Sequence, residues 1–597
     1  MQSYSNNLQD QFGNGIPSGT VTVYYTGTNT KPQLYSDDGV TQTSNPVTAD
    51  SLGRYSFYVA DGHYDLVGSA PGYTGITLTD VAIVTPVSSY PVTVADVKAL
   101  TPDQAAALGT VTTQGYYAAG DGGAGAYWWN STDTTADNGG TVIAPNAGGT
   151  GRWNLLVING IQNVRQWGAY GDGTHNDEGA IQGAINSISN SSGTGLGGIV
   201  LFPAGKYLIT STLTVYDHVT LKGVLGYQGE WDTRTGVGSV LINNTSGVNT
   251  VTFYGGTGGL ALNSSIDGLA FEGTGTGSHI SLTDTGNGIY EVAIRNSSFL
   301  GKSNGVLASG TVYIIRIMWC GFHNQTSWPI LITNSSGTGG HSIYIEENSI
   351  NDNGSNTVGA IRFTGTAQTS NVIIKNNVIN GFRLASTNVI DFNTAVQGFT
   401  IIDNWFEQNN GSGSVVLNLS GTAGNVFGNT FNNDWNGILM TVVGTTFIGP
   451  NTFGSSSGTY SISVTNGSAA NFIMPQQADK PVIVSGVNEG NWIYDQSDGV
   501  TTAVRSVSGT SYTVAANDDS IYVTTSGAFT LFLPAISGAS SGRKITIKKV
   551  DSAANTVTVT SYGSETIDGA ANYALATQNK YVTVQSDGTN WKVIANN

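Results

Sequence analysis

The feature that most restricts how this chain folds is a repeat of single apolar anchors. Phe271, Phe299, Phe322, Ile350, Ile379, Phe406, Phe431 and Phe453 follow one another at spacings of 28, 23, 28, 29, 27, 25 and 22 residues. Five residues before each anchor from Phe299 onward stand Ile294, Ile317, Ile345, Ile374, Ile401, Val426 and Ile448, all apolar. Two residues before the last five anchors come Asn348, Asn377, Asn404, Asn429 and Asn451. A period in this range belongs to a stacked solenoid. Strand alternation sends the apolar set into its interior, and coils about 4.8 Å apart let identical amides hydrogen-bond up a column. The pattern predicts an all-β parallel β-helix over 159–475, with the unequal spacing absorbed by loops at the corners.

Composition agrees. Among 597 residues there are 81 glycines, while Asp, Glu, Lys and Arg make up only 10%. The 11 Trp, 27 Tyr and 19 Phe are too many for a disordered chain. A net charge of −17 argues against a nucleic-acid partner or an anionic membrane surface, either of which selects a basic face. An acidic polysaccharide would be repelled at long range, so its binding would depend on local basic or aromatic groups. No apolar run approaches the ~20 residues of a membrane span, so no membrane insertion is expected. The start, Met1-Gln2-Ser3-Tyr4, lacks a basic and apolar secretory signal. The single Cys320 excludes an intrachain disulfide framework.

Short strands with turn punctuation over 1–93, such as Val21–Tyr25 and Gly53–Val59, predict a small β-sandwich. A helical neck is expected over 94–109, with Thr101-Pro102-Asp103 as a start signal and Gly109 as a cap. A small β-segment covers 110–158, a linker 476–510, and a C-terminal β-module 511–597, with a hairpin at Asp587-Gly588.

One stretch carries a family resemblance. Asn163 to Gly173 reads Asn-Val-Arg-Gln-Trp-Gly-Ala-Tyr-Gly-Asp-Gly, followed by Asn176-Asp177-Glu178, Phe202-Pro203-Ala204-Gly205-Lys206-Tyr207 and Val219-Thr220-Leu221-Lys222-Gly223. This order resembles the opening of the pectate-lyase-like right-handed parallel β-helix family found in bacteriophage tailspikes and polysaccharide depolymerases. Between its pieces, Ala180, Ile181, Ala184, Ile185 and Ile188 fall on one helical face, as a helix plugging the end of a solenoid requires. In this family context Asp172 is a turn residue. The N-terminal module, with Leu34-Tyr35-Ser36-Asp37 and Asn45-Pro46-Val47, resembles modules of phage tail fibres that attach to the virion. The C-terminal module resembles fibre domains that trimerise or contact carbohydrate.

The resemblance implies a homotrimeric phage tailspike in the virion. It would bind phage baseplate or tail proteins through its N-terminal module and cleave a bacterial surface polysaccharide. Glycoside hydrolysis needs two carboxyl groups. Of the eleven between residues 260 and 455, Glu347 and Asp403 lie three residues before their anchors, with Asn376 between them in the same column. Two coil steps of roughly 9.6 Å would let side chains that lean together reach the ~6.5–9.5 Å of an inverting pair. Turn carboxylates bonded to backbone amides are the plainer reading of the same residues. Glu407 follows an anchor in an amide column and is the third catalytic candidate. Glu346, one coil below Lys375, reads as half of a surface ion pair.

For sugar contacts the candidates are Trp405, Arg383, Trp435, Trp319 and His323, with Trp328 close by and the loop from Glu230 to Arg234 as a rim. No metal or cofactor is implied: the six histidines are scattered, and Gly120-Asp121-Gly122-Gly123 lacks the lysine of a P-loop. Two further readings remain open. One is a lyase on uronic acids, for which Arg295, Arg316, Arg362, Lys375 or Arg383 would neutralise the substrate carboxylate. The other is a spike that binds glycan without cleaving it.

Overall fold

A computed structural model describes the chain except residues 86–89, 190–195, 225–237, 256–260, 285–287, 335–339, 353–357, 455, 466–467, 485–490, 496–498, 502–503, 516–517 and 537–541. It divides into two compact units. One holds residues 1–170 with 179–187, and the other holds 171–178 with 188–597.

In the first unit, two four-stranded sheets enclose a core of Val21, Val23, Leu34, Phe57, Val59, Tyr64 and Leu66. This is the expected sandwich, built on strands whose alternate residues are apolar. The expected neck comprises two helices, α1 (Val94–Ala99) and α2 (Pro102–Leu108), because Leu100 turns extended before Pro102 can start a new helix. Thr93 and Thr101 each close a capping box. Val94, Val97 and Ala105 share a core with Val111, Tyr127, Ile143 and Trp153 of the following four-stranded sheet, so helices and sheet form one small domain. The helix α3 (Glu178–Ile188) buries Ile181, Ala184 and Ile185 completely. In the second unit, Asp172 is held as a turn: its Oδ1 accepts from the backbone N–H of Thr174 and His175 at 2.8 and 3.0 Å.

The second unit is a parallel β-helix. A representative coil runs through Gly340–Glu346 (sheet A), Ser349–Asn351 (sheet B) and Ile361–Gly365 (sheet C). The next repeats it with Thr369–Lys375, Val378–Asn380 and Asn388–Phe392, and each strand pairs in parallel with the one below. Sheet B contains twelve strands. The anchors are in register on its inner side: Phe271, Phe299 and Phe322 stack at 5.1 and 4.8 Å, and Phe406, Phe431 and Phe453 at 5.1 and 4.4 Å. The second apolar column, from Ile294 through Ile345 to Ile448, is fully buried behind sheet A.

The asparagine column forms as the spacing predicts. Nδ2 of Asn348, Asn377, Asn404 and Asn429 donates to Oδ1 of the asparagine above at 2.9–3.0 Å, and Asn451 donates to Gln476 at 3.1 Å. Each Oδ1 also accepts the backbone N–H of the asparagine below, as Asn404 Oδ1 does from Asn377 at 3.0 Å.

The expected linker needs correction. Gln477–Ala478, Val482–Val484 and Trp492–Asp495 add strands to sheets B, C and A, so the solenoid runs past residue 475. Its anchor is Ala478 rather than a large apolar residue, and the sequence repeat fades there although the backbone still pairs. The C-terminal module then begins at Val504. A five-stranded and a four-stranded sheet share a core that includes Ile521, Leu531, Ile547, Val584 and Trp591. Its last hairpin turns at Asp587-Gly588 as expected.

Asn404 makes side-chain bonds to Asn377, Asn429 and the Ile374 carbonyl while buried. Asn404→Leu leaves those groups unpaired and should cost on the order of 3 kcal/mol. The expected readout is a lower urea midpoint. An unchanged midpoint would show that the column does not hold the coils together.

Candidate functional site

At the corner between sheets A and B the chain turns through one left-handed residue per coil. The column reads Gly268, Asn296, Trp319, Glu347, Asn376, Asp403 and Gly428, all with φ between 51° and 76°. Gly, Asn and Asp suit this conformation; Trp319 and Glu347 do not. The backbone N–H of Glu347 donates to the Lys375 carbonyl at 2.9 Å, and that of Asp403 to the Phe427 carbonyl at 3.3 Å, which continues the ladder through the corner.

Both side chains are exposed, but they lean apart. Glu347 reaches down to its neighbour, where the Trp319 indole N–H donates to Oε2. Asp403 lies over the coil above, because a Cβ on Gly428 would stand only 2.2 Å from Asp403 Oδ1. The leaning-together geometry expected of this pair is therefore not the one adopted.

The outward side of sheet B carries the rest. Outward positions read Ser298, Gly321, Ser349, Val378, Trp405 and Thr430 in one column and Leu300, His323, Asn351, Asn380, Glu407 and Asn432 in the next. Trp405 is 42% exposed and Trp319 46%. The Trp405 indole donates to Glu407 Oε2 at 3.2 Å, and Asn432 Nδ2 donates to Oε1 at 3.1 Å. Two exposed indoles are thus each tied to a glutamate. His323 is half-buried, three coils below Glu407 in the same column.

Arg383 and Trp435 lie at the opposite edge of sheet B, at the turn toward sheet C. Arg383 is exposed and donates to Gln408, while Trp435 is half-buried. The loop from Glu230 to Arg234 lies outside the described residues. Glu346 and Lys375 are register neighbours, but they do not close to an ion pair.

Other carboxylates have structural work. Asp284 accepts from the backbone N–H of Gly288 and Thr311 at 2.7 and 2.9 Å, and Asp267 lies 3.6 Å from both Lys222 and Arg295.

Two features escaped the sequence reading. Asp391 points outward from sheet C yet is only 5% exposed, in register with Arg362 below and Asn418 above. Aligning sheet C strand by strand would have exposed that column, but its anchors are less regular than those of sheet B. The other is Asp434, which is 2% exposed and sits in a second buried column above Asn409. Its Oδ1 accepts from the Asn409 backbone N–H at 2.9 Å, whereas Oδ2 has no partner. Burial, with a smaller contribution from the nearby Glu407 charge, pushes the Asp434 carboxyl up to about 7.

A raised carboxyl binds its proton more tightly in the folded chain. Its stabilisation is full below the ordinary value of 3.8 and is lost as the pH rises to about 7. Asp434→Asn keeps the acceptor and removes the titration. The variant should gain stability on the native protein by at most about 1.4 kcal/mol per pH unit across that window, then no further. Denaturation midpoints of both proteins at pH 4, 6 and 8 test this; parallel pH curves would overturn it.

Residues 91–158 match the family model of the phage tail protein small four-stranded β-sheet domain. Residues 161–437 match rhamnogalacturonase A/epimerase, pectate lyase-like. No curated protein matches the chain. Among solved structures, the chain is similar to Pantoea stewartii WceF, a glycan biofilm modifying enzyme with a bacteriophage tailspike-like parallel β-helix fold. That likeness has 12% identity, a TM-score of 0.39, and covers 83% of this chain and 66% of that one. The tailspike protein of Acinetobacter baumannii phage AM24 is 15% identical, with a TM-score of 0.38 and coverage of 64% and 65%. The enzymatically active domain of bacteriophage CBA120 tailspike protein 2 is 14% identical, with a TM-score of 0.37 and coverage of 71% and 57%. The chain spans less than two thirds of the length of each.

Proposed function

We propose, for a chain that joins a match to a phage tail domain with a match to the pectate lyase-like β-helix, that it is a phage tailspike which binds and depolymerises a bacterial surface polysaccharide. The observation that carries this reading is the pair of exposed indoles, Trp319 at the corner between sheets A and B and Trp405 on the outward side of sheet B, each hydrogen-bonded to a glutamate. An indole held in plane by its own N–H offers a flat apolar surface to a sugar ring, and the carboxylate beside it is oriented at the same time. The face spans several coils at about 4.8 Å each, long enough for several sugar units.

The chemistry, on this reading, is endo-glycosidic hydrolysis around Trp405. Glu407, fixed by Trp405 and Asn432, is one carboxylate, and Asp403, exposed at the corner two residues before Trp405, is its partner. Glu347 with Trp319 extends the platform two coils down, and His323, Arg383 and Trp435 contact the glycan at its edges. The protein acts as a homotrimer, attached to the phage tail through its N-terminal module, at the outside of the host cell. Three sites on one spike raise avidity for a repeating polymer.

Glu407→Gln and Asp403→Asn should each lower reducing-end release from the host glycan by about 10²–10⁴-fold while glycan binding persists. Glu347→Gln should mainly weaken binding. Loss of turnover in Glu347→Gln with full activity in Glu407→Gln would move the chemistry to the lower indole. Full activity in all three would remove it from sheet B. Product absorbance in the ultraviolet separates hydrolysis from elimination, because only a lyase leaves a conjugated double bond. Binding without any cleavage by the native protein would make it an adhesin. Light scattering should give three times the 62.0 kDa of one chain, and a monomer at micromolar concentration would sink the trimer.

A further inference from the structure

Sheet C holds an arrangement that the proposed reaction does not use. Ile361, Ile390 and Leu417 face the interior and are fully buried, so Arg362, Asp391 and Asn418, beside them on adjacent strands, project outward. The Arg362 guanidinium lies over the Trp328 ring, 5.3 Å from its centroid, and Nε is 3.3 Å from Asp391 Oδ2. Asp391 Oδ1 accepts from Asn388 Nδ2 at 3.1 Å and from Asn418 Nδ2 at 2.7 Å, and Asn418 Oδ1 accepts from Thr441 at 2.8 Å. Oδ1 is thus hydrogen-bonded twice and Oδ2 is ion-paired with Arg362, and the Asp391 side chain is 7% exposed against 30% for Arg362.

This order has a chemical consequence. Arg has five N–H donors in a fixed plane. Asp391 Oδ2 pairs with Nε by charge at 3.3 Å, although the buried Nε–H makes no hydrogen bond, and Trp328 covers one face, while Nη1 and Nη2 make no hydrogen bond or ion pair among the described residues. The donors left over form the planar fork that matches a carboxylate in bidentate fashion. A mobile surface arginine loses entropy on binding; this one is already ordered by a buried carboxylate and a ring. Leu331 and Leu439, below and above in the same outward column, supply apolar flanks for a sugar ring. On a chain with net charge −17, a fixed local cation is also what an acidic glycan needs to bind.

We propose that sheet C carries a second saccharide site, in which Arg362, positioned by Asp391 and Trp328, binds the carboxylate of an acidic sugar. The inference rests on the glycan-binding reading above and adds a substrate class to it. The cleavage variants address sheet B and the following assay addresses sheet C, so either reading can fail while the other stands.

The test is calorimetric titration of the full chain with trigalacturonate and with its carboxyl-reduced counterpart. The acidic trisaccharide should bind and the reduced one should bind about tenfold or more weakly, the loss of one charge-assisted bidentate contact. Arg362→Met should abolish the difference between the two probes, and Arg362→Lys should retain part of it. Asp391→Asn, which leaves the guanidinium unpositioned, should weaken the acidic probe with an unchanged enthalpy for the reduced one. Equal binding of both probes, no binding of the acidic one, or normal binding by Arg362→Met overturns the proposal. So does a change in assembly mass in Arg362→Met with probe binding intact, because Arg362 would then be pairing with a second copy of the chain. Thermal melting of Arg362→Lys checks that the coil is intact.

Discussion

Every level of this structure depends on the coil-to-coil spacing of about 4.8 Å. At that distance a buried polar side chain meets its own counterpart one coil above and one below, and whatever stands in a column must suit both. Asparagine does, because one amide donates upward while its oxygen takes donors from below. Asn348 to Asn451 use this without a break, and Gln476 closes the series. A leucine or an aspartate in the column would leave a buried group unpaired at a cost of about 1–3 kcal/mol. The interior is therefore close to fixed, and variation is confined to outward positions and corners.

The corners show how tolerance and function separate. A left-handed residue costs roughly 1–2 kcal/mol unless it is Gly, Asn or Asp. Most coils obey this at the corner between sheets A and B, where Asn296, Asn376, Asp403 and Gly428 take the turn. Trp319 and Glu347 take it at adjacent coils against that preference, and they hydrogen-bond to one another. A strained indole–carboxylate pair retained on the surface has no packing role that a smaller residue would not fill better. The same pairing recurs, without backbone strain, at Trp405 and Glu407. On the proposed reading, that recurrence puts the glycan along sheet B and its corner with sheet A.

Charge is scarce, so the way each ionisable group is held carries information. Glu407 is open to solvent on one side and bonded on the other, whereas Asp434 is shut into a column where an asparagine would serve the backbone equally well. On sheet C the usual order is inverted: a buried aspartate faces outward, hydrogen-bonded to two asparagines and ion-paired with an arginine. A buried ion pair of this kind is rarely the cheapest way to stabilise a sheet. In the proposed sheet C site its value lies in limiting the directions open to the donors that remain free.

The sequence by itself determined the solenoid, the register of sheet B and the asparagine column. Each of these repeats with the period of the coil, and period-2 burial makes the anchors Phe271 to Phe453 visible without coordinates. It also determined which residues share a column, including Glu347 with Asp403. It did not determine that those two lean apart, because the direction of a side chain at a corner depends on what the neighbouring coils offer: an indole below Glu347 and the open backbone of Gly428 above Asp403. The last coil, through Gln477–Ala478, lay hidden because its anchor is an alanine and only backbone pairing marks it. The Arg362–Asp391–Asn418 column lay hidden for a related reason. Its three residue types differ, and their complementarity exists only once three strands, separated in sequence by loops of unequal length, are brought side by side.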